Sequence, residues 1–436
     1  MKKSLVSIII LSLVAIMIFT VTSAAEVTKK FEGMTLKVFA DSHEPMLKVN
    51  QWAVDVMKEN YGVTVLMDQE PYGTQYNKAM TNFIAHTGQY DVIVAAMQWT
   101  GGWADAGFIV PLDEYIAKDP SFDPSVYVEK AYSTNSTYNG EQIAVPFNME
   151  GRLMFCRKDI FEKEGLSVPT NRDEWLKIVK YFYNNPKYPD FYGACYMYGK
   201  QQGPNQPVET YWGLFDWNSA KTENGMWDDN MQNCFDKDAM IKSLNFWKEA
   251  KQYMPEGVEA FELPEAYQFY VDGNCAMTEV WPLTLYGMLM DPANAELKKN
   301  TVTADIAIGL PMSGGWGLCI SADSKVKDLA WEYCKLLASP EVDFMGFNKF
   351  GKGPSCKATY TDPSLKDKYG DWLISQQKAM AKVKSYGKTS LVQNLGDWKI
   401  LINQAEIGQI TAEKAVVKMD ATLDSILEAA GYKQNK

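Results

Sequence analysis

Tyr90-Asp91-Val92-Ile93-Val94-Ala95-Ala96 is the third of three strand-like runs near the start of the chain, and the spacing between these runs decides the fold. The first run is carried by Leu36, Val38 and Phe39; the second covers 63–67 and ends in polar residues and Pro71. Between them Met46, Val49, Trp52, Ala53, Val56 and Met57 recur at i, i+3 and i+4, the period of an amphipathic helix. Tyr76, Met80, Phe83 and Ile84 mark a second helix before the third run. Two strand–helix–strand units of this length predict a parallel sheet with helices on its faces, hence an α/β protein. Such sheets bind ligands beyond the carboxyl ends of their strands. That draws attention to Asp41-Ser42-His43-Glu44 after the first strand and to Gln98-Trp99-Thr100-Gly101-Gly102-Trp103, read as a loop, after the third.

Further along, Ile143-Ala144-Val145-Pro146-Phe147-Asn148 and Leu153-Met154-Phe155 read as strands. Helices are expected near 173–183, 238–253 and 265–272, and strands at 275–280 and 304–310, the last leading into Pro311-Met312-Ser313-Gly314-Gly315-Trp316. The C-terminal part is mostly helical, with Ala412, Ala415, Val416, Met419, Leu423, Ile426 and Leu427 on one face before Gly431 as the cap. No repeat or disordered linker breaks the pattern, so domain boundaries are expected at short strand-like crossovers, as in two lobes on a hinge.

The 436 residues suffice for two or three domains, and 46% hydrophobic with 22% charged residues describes a chain that buries a large core. The 43 basic and 54 acidic residues give a net charge of -11, and Arg152, Arg157 and Arg172 are the only arginines, which argues against a nucleic-acid partner. Two histidines, His43 and His86, leave little for histidine-based zinc sites or triads. Lys2 and Lys3 precede an apolar run over 5–19, and Val21-Thr22-Ser23-Ala24-Ala25 supplies small residues for a signal peptidase. Residues 1–25 are therefore expected to be a cleavable signal peptide, since the run is shorter than the ~20 apolar residues of a spanning helix. The first cysteine is Cys156, so no lipid-anchor cysteine sits at the cleavage point, and the expected location is periplasmic or extracellular. Seven cysteines leave at least one unpaired; Cys319 in a strand and Cys334 on an apolar helix face read as core residues. No CxxC spacing occurs, no metal or redox motif is expected, and no pairing is assigned.

Along the chain come Thr87-Gly88-Gln89-Tyr90-Asp91-Val92-Ile93, then Ala106-Gly107-Phe108-Ile109-Val110-Pro111-Leu112-Asp113, Ile143-Ala144-Val145-Pro146, Arg157-Lys158-Asp159-Ile160-Phe161, Asp272-Gly273-Asn274-Cys275-Ala276-Met277, and Gly314-Gly315-Trp316-Gly317 before Ser339-Pro340-Glu341. This succession resembles the family 1 extracellular solute-binding proteins, the carbohydrate receptors of bacterial ABC importers, over nearly all of the mature chain. The resemblance implies a two-lobed periplasmic-binding-protein-like α/β fold (type II), with the ligand cleft between lobes joined by hinge strands. Crossovers would fall near 144–147, 300–304 and 341–346. The first lobe would then comprise 26–144 plus 304–340, and the second 147–300 plus 346–436. It also implies hinge closure on binding and membrane permease subunits of an ABC importer as partners. The chain is expected to act as a monomer without a cofactor.

The residues point to a neutral, hydroxyl-rich ligand in their own right. A sugar or polyol offers an apolar C–H face and a rim of hydroxyls, so it needs aromatic platforms and directed polar groups. Trp52, Trp175, Trp247, Trp331 and Trp372 lie in helical patterns and read as packing residues, whereas Trp99, Trp103, Trp212, Trp217, Trp227, Trp281 and Trp316 lie in loops or at strand ends. The resemblance places Trp99, Trp281 and Trp316 along the cleft, Trp281 and more loosely Trp398 at sugar-stacking positions. His43, Glu44, Gln98, Asn148, Glu209 and Glu279 are the candidate polar partners, with Trp212 added from the aromatic stretch over 192–229; Arg152 is read either as a ligand contact or as an interlobe ion pair. The main alternative is a secreted glycoside hydrolase, which needs two carboxylates across a cleft, Glu209 and Glu279 being available. A receptor for an anion or peptide is disfavoured by the shortage of arginine. A calcium site is disfavoured because Asp228-Asp229-Asn230 with Asp236 and Asp238 lacks the loop spacing.

Overall fold

The computed structural model describes residues 30–387 and 391–434; the expected signal segment lies outside the described residues. Nine strands build its two main sheets: β1 (Thr35–Asp41), β2 (Thr64–Glu70), β3 (Val92–Ala96), β4 (Val145–Gly151), β5 (Leu153–Arg157), β6 (Tyr192–Cys195), β7 (Cys275–Val280), β8 (Thr301–Ala304) and β9 (Ser313–Ile320). The first sheet has the order β2-β1-β3-β9-β4 and the second the order β8-β5-β7-β6. β1 pairs in parallel with β2 and β3, as the two strand–helix–strand units require. β9 returns antiparallel between β3 and β4, so the carboxyl ends of β1, β3 and β4 share an edge with the start of β9.

Alternation along the strands fills both faces of the first sheet. Val92 and Val94 pack with Leu36, Val38 and Leu318 against Leu329, Tyr333 and Leu337. Ile93 and Ala95 face the other way, with Phe39 and Cys319, onto Phe83 and Trp103. The helix Glu44–Tyr61 carries the expected stripe Met46, Val49, Ala53 and Met57, starts with Pro45 in its first turn and stops at Gly62, whose φ of 64° lets its N–H reach back to the last carbonyls. Cys319 and Cys334 are core residues, and all seven cysteines are free. Among the described residues no helix is long and apolar enough to cross a membrane.

Three expectations are corrected. Trp99 and Trp103 stand on a helix, Met97–Asp105, not in a loop. Two glycines lower its propensity, but the i, i+4 pair of tryptophans packs on Tyr76 at 5.6 and 6.0 Å, and that burial overrides propensity. Trp212 likewise lies on a helix, Asn205–Leu214, buried along most of its length. The strand expected over 304–310 is replaced by β8, which ends at Ala304; beyond it Gly309 runs so close to this helix that a Cβ there would lie 2.0 Å from the Glu209 carbonyl oxygen. The chain passes from the first sheet to the second at Arg152 and back between Ala304 and Ser313.

Trp331 tests the division between packing and site tryptophans. It is 4% exposed, packs on Phe122 at 5.1 Å, and its Nε1–H donates to Asp119 Oδ2 at 3.0 Å. Trp331→Ala should cost about 3–5 kcal/mol, seen as an earlier urea midpoint. Ligand affinity should stay unchanged.

Candidate functional site

The hinge is built around one buried ion pair. Arg152, the single residue between β4 and β5, is 0% exposed and donates from Nη1 to Glu209 Oε2 at 2.8 Å and from Nη2 to the Glu279 carbonyl at 2.8 Å. The other Glu209 oxygen accepts the Met312 N–H at 2.8 Å, and the Arg152 N–H reaches the Met312 carbonyl at 3.3 Å. One carboxylate therefore ties both crossovers to the second lobe. Burial, opposed by Arg152, raises the pKa of Glu209; burial followed by the charge of Glu209 raises Glu279 well above the usual carboxylate range, which makes Glu279 the readier of the two to hold a proton. A third segment is fastened beside them, where Asn148 Oδ1 accepts the Gly353 N–H at 2.7 Å and Lys352 donates to Asp343 at 2.9 Å.

In front of this hinge lies a cavity of about 490 Å³, bounded on one side by the shared edge of the first sheet and on the other by segments of the second lobe. The first-sheet wall is aromatic: Tyr72 stacks on Trp99 with centroids 5.1 Å apart, and Trp316 meets both edge-on at 5.9 and 5.8 Å. β9 has a register shift between Trp316 and Gly317, next to the pairing of Gly317 with Pro146 in β4. The opposite wall holds Trp281, which caps the helix Pro282–Leu289, together with Tyr267, Tyr386 and Trp398. Trp281 is fixed by the Tyr267 hydroxyl donating to its carbonyl at 3.2 Å, by its own Nε1–H reaching Gln202 at 3.5 Å, and by the Arg152 guanidinium 5.8 Å from its ring. A Cβ at Gly314 would lie 2.5 Å from that ring, so β9 and the Trp281 platform meet only because position 314 has no side chain. The lobes also touch through His43 Nε2 and Thr284 Oγ1, hydrogen-bonded at 3.1 Å.

Of the residues singled out in the sequence, His43, Gln98, Trp99, Trp281, Trp316 and Trp398 line this cavity. Gln98 donates to the Tyr72 hydroxyl at 2.6 Å, and Trp398 is anchored by its Nε1–H on the Met419 carbonyl at 2.9 Å. Glu44, Asn148, Glu209, Trp212 and Glu279 do not line it. Glu44 is exposed and paired with Lys48, while Asn148, Glu209 and Glu279 belong to the hinge. Trp212 is fully buried behind the wall, its ring 5.7 Å from Tyr386. Asp41, Tyr72, Glu150, Gln202, Asn205, Tyr267 and Tyr386 are lining residues that sequence reasoning did not select. Only Asp41 had a signal, its place after the first strand. The Asp41 Oδ2 and Tyr386 Oη atoms are buried and have no hydrogen-bond partner among the described residues.

Two α/β lobes sharing a stapled hinge, with a cavity at the sheet edge between them, define a solute-binding receptor. The sequence profile of the bacterial extracellular solute-binding proteins matches residues 40–343, and the chain belongs to that family. It is 23% identical over 357 residues to a probable amino-acid ABC transporter periplasmic-binding protein of Sinorhizobium fredii, spanning 80% of this chain and 78% of that one. It is 24% identical over 261 residues to a mannitol-binding protein of Pseudomonas aeruginosa, spanning 57% and 56%. An ABC transporter solute-binding protein of Agrobacterium radiobacter in complex with ribitol shares the fold with a TM-score of 0.77 and 21% identity over 91% of this chain and 99% of the other. A maltose-bound protein of T. maritima does so with a TM-score of 0.78 and 19% identity over 90% and 100%.

The two hinge glutamates should respond differently to the loss of charge. Glu209→Gln takes the carboxylate off Arg152 and the Met312 N–H and should cost up to about 3–5 kcal/mol, less whatever the neighbouring Glu279 restores by giving up its proton. With the shared proton on Glu279, Glu279→Gln should stay within about 1 kcal/mol of the parent at pH 7. Urea unfolding of the two variants side by side checks this, and equal losses would show that the proton is not held on Glu279.

Proposed function

We propose that the protein is an extracytoplasmic receptor that captures a sugar, oligosaccharide or polyol between its lobes by hinge closure and delivers it, as a monomer, to the permease subunits of an ABC importer. One observation carries this reading: the cavity between the lobes joins tryptophan and tyrosine faces from both sides to unpaired polar atoms, the two things a polyhydroxylated ring or chain requires. The mannitol-binding relative and the ribitol and maltose complexes among the similar folds support the same class of ligand. A glycoside hydrolase is the weaker reading. Glu209 and Glu279, the carboxylates available for it, are spent on the hinge rather than facing the cavity.

A thermal-shift screen against mono-, di- and oligosaccharides and polyols tests the reading, since a ligand specific for the native state at a hundred times its Kd adds about 2.7 kcal/mol of stability. A shift with a peptide or organic acid and with no sugar or polyol would sink it, and release of the chromophore from a nitrophenyl glycoside would favour the hydrolase. Small-angle scattering should show compaction at saturating ligand.

The platforms supply the sharper prediction. Trp281→Ala and Trp316→Ala should each weaken calorimetric affinity at least about tenfold, as truncation of a buried aromatic contact does. Gly314→Ala should also weaken binding, because its methyl group displaces the Trp281 ring, while the melting temperature of the free protein stays close to the parent's. If these variants bind normally and merely melt earlier, the rings are packing residues.

A further inference from the structure

Two carboxyl groups stand in the cavity wall with no positive charge to meet them. Asp41, at the end of β1, is 2% exposed; its Oδ1 accepts the His43 N–H at 2.7 Å, and its Oδ2 has no partner among the described residues. Glu150, near the end of β4, is 9% exposed and receives one long bond, 3.4 Å, from the Leu283 N–H. Arg152, the nearby guanidinium, is committed to Glu209. Among the described lining residues the basic ones are His43 and Lys399. Burial lowers the pKa of both; His43 bonds to Thr284, and the carboxylate that acts on Lys399 is Glu262. The remaining titratable groups facing the cavity are the phenols of Tyr72, Tyr267 and Tyr386, all pushed up by burial and so uncharged near neutral pH.

A buried carboxylate without a counter-charge is expensive, and aromatic faces attract cations. We propose that the cavity is built for a hydroxylated ligand bearing a protonated amine, an amino sugar or amino polyol, whose ammonium supplies the counter-charge that Asp41 and Glu150 lack while its C–H faces lie on the tryptophans. The inference rests on the receptor reading above and narrows its ligand class. It also fixes a sign. Burial raises Asp41 to about 6 and Glu150 to about 7, so both lose protons between mildly acidic and mildly alkaline pH. An ammonium ligand favours the ionised forms, and its affinity must rise with pH across that range. A neutral ligand that accepted hydrogen bonds from the protonated carboxyls would bind less tightly as pH rises.

Isothermal titration with matched pairs tests this: glucosamine against glucose, glucamine against glucitol, and fully deacetylated chitobiose against cellobiose, each at pH 5.5 and 7.5. At least one amine should bind about tenfold or more tightly than its neutral partner at pH 7.5, with the gap shrinking at pH 5.5. Asp41→Asn and Glu150→Gln should narrow the gap, their melting temperatures checking the fold. A neutral member that binds as well as its amine, or a neutral sugar or polyol from the thermal screen that binds when none of these amines does, overturns the inference and leaves the receptor reading standing. Absence of binding by every sugar and polyol, charged or neutral, overturns both.

Discussion

The Arg152–Glu209 pair is the constraint on which the rest of the arrangement depends. Moving two charges out of water into a dry interior costs several kcal/mol per ion, and their attraction repays it only when every remaining donor and acceptor is placed. Here most of the placement is supplied by backbone, the Met312 N–H on one carboxylate oxygen and the Glu279 carbonyl on the guanidinium, while the Arg152 Nε–H finds no partner among the described residues. The geometry that satisfies the ions is therefore the geometry that holds β4, β5 and the approach to β9 together. The ion pair adds little net stability for its expense, but it makes any other path of the two crossovers costly.

That cluster also aims the site. Trp281 follows directly on β7, the strand that carries Glu279, and lies under the Arg152 guanidinium, so its ring orientation is inherited from the hinge. Across the cavity Trp99 and Trp316 are set by a different device, a wall of rings packed edge to face on the first sheet. One platform is thus positioned by electrostatics and the other by packing. They meet at Gly314, where the missing side chain lets the second-lobe ring come against a first-lobe strand. A cavity walled on both sides by rigid rings is selective for flat apolar faces. The polar atoms between the rings then choose among ligands that present such faces.

Much of this was legible in the sequence, and what was missed has a physical cause. The three parallel strands and their helices follow from periodicity because burial on a sheet or helix face repeats at short range. Trp281, Trp316 and Gln98, which line the cavity, could be singled out because they lie just at or beyond strand ends, which local sequence does mark. Glu209 was misread because its partner is 57 residues away, and a buried ion pair leaves no local pattern that distinguishes it from a ligand-binding glutamate. Tyr386 and Glu150 escaped for the same reason: they reach the cavity through the path of the C-terminal segment and the crossover after Gly151. The helix Met97–Asp105 was hidden by its glycines, whose low propensity was outweighed by the burial of Trp99 and Trp103.

The contacts that bring the lobes together at the mouth are slight by comparison with the hinge. His43 and Thr284 share one partly buried hydrogen bond, a contact worth on the order of 1 kcal/mol, and Trp281 rests against the backbone at Gly314. The helix Leu391–Asn394 also packs on Met97–Asp105, and Met97 and Ala131 share an apolar cluster with Met380 and Val383. A ligand shifts the balance between open and closed arrangements only by its difference in affinity for the two. A molecule that touched one lobe alone would bind without closing the protein. One that lies on Trp316 with one face and Trp281 with the other, and satisfies Asp41 and Tyr386 from opposite walls, gains most of its contacts only when the lobes meet. Such a ligand is the kind whose binding energy favours the closed arrangement over the open one.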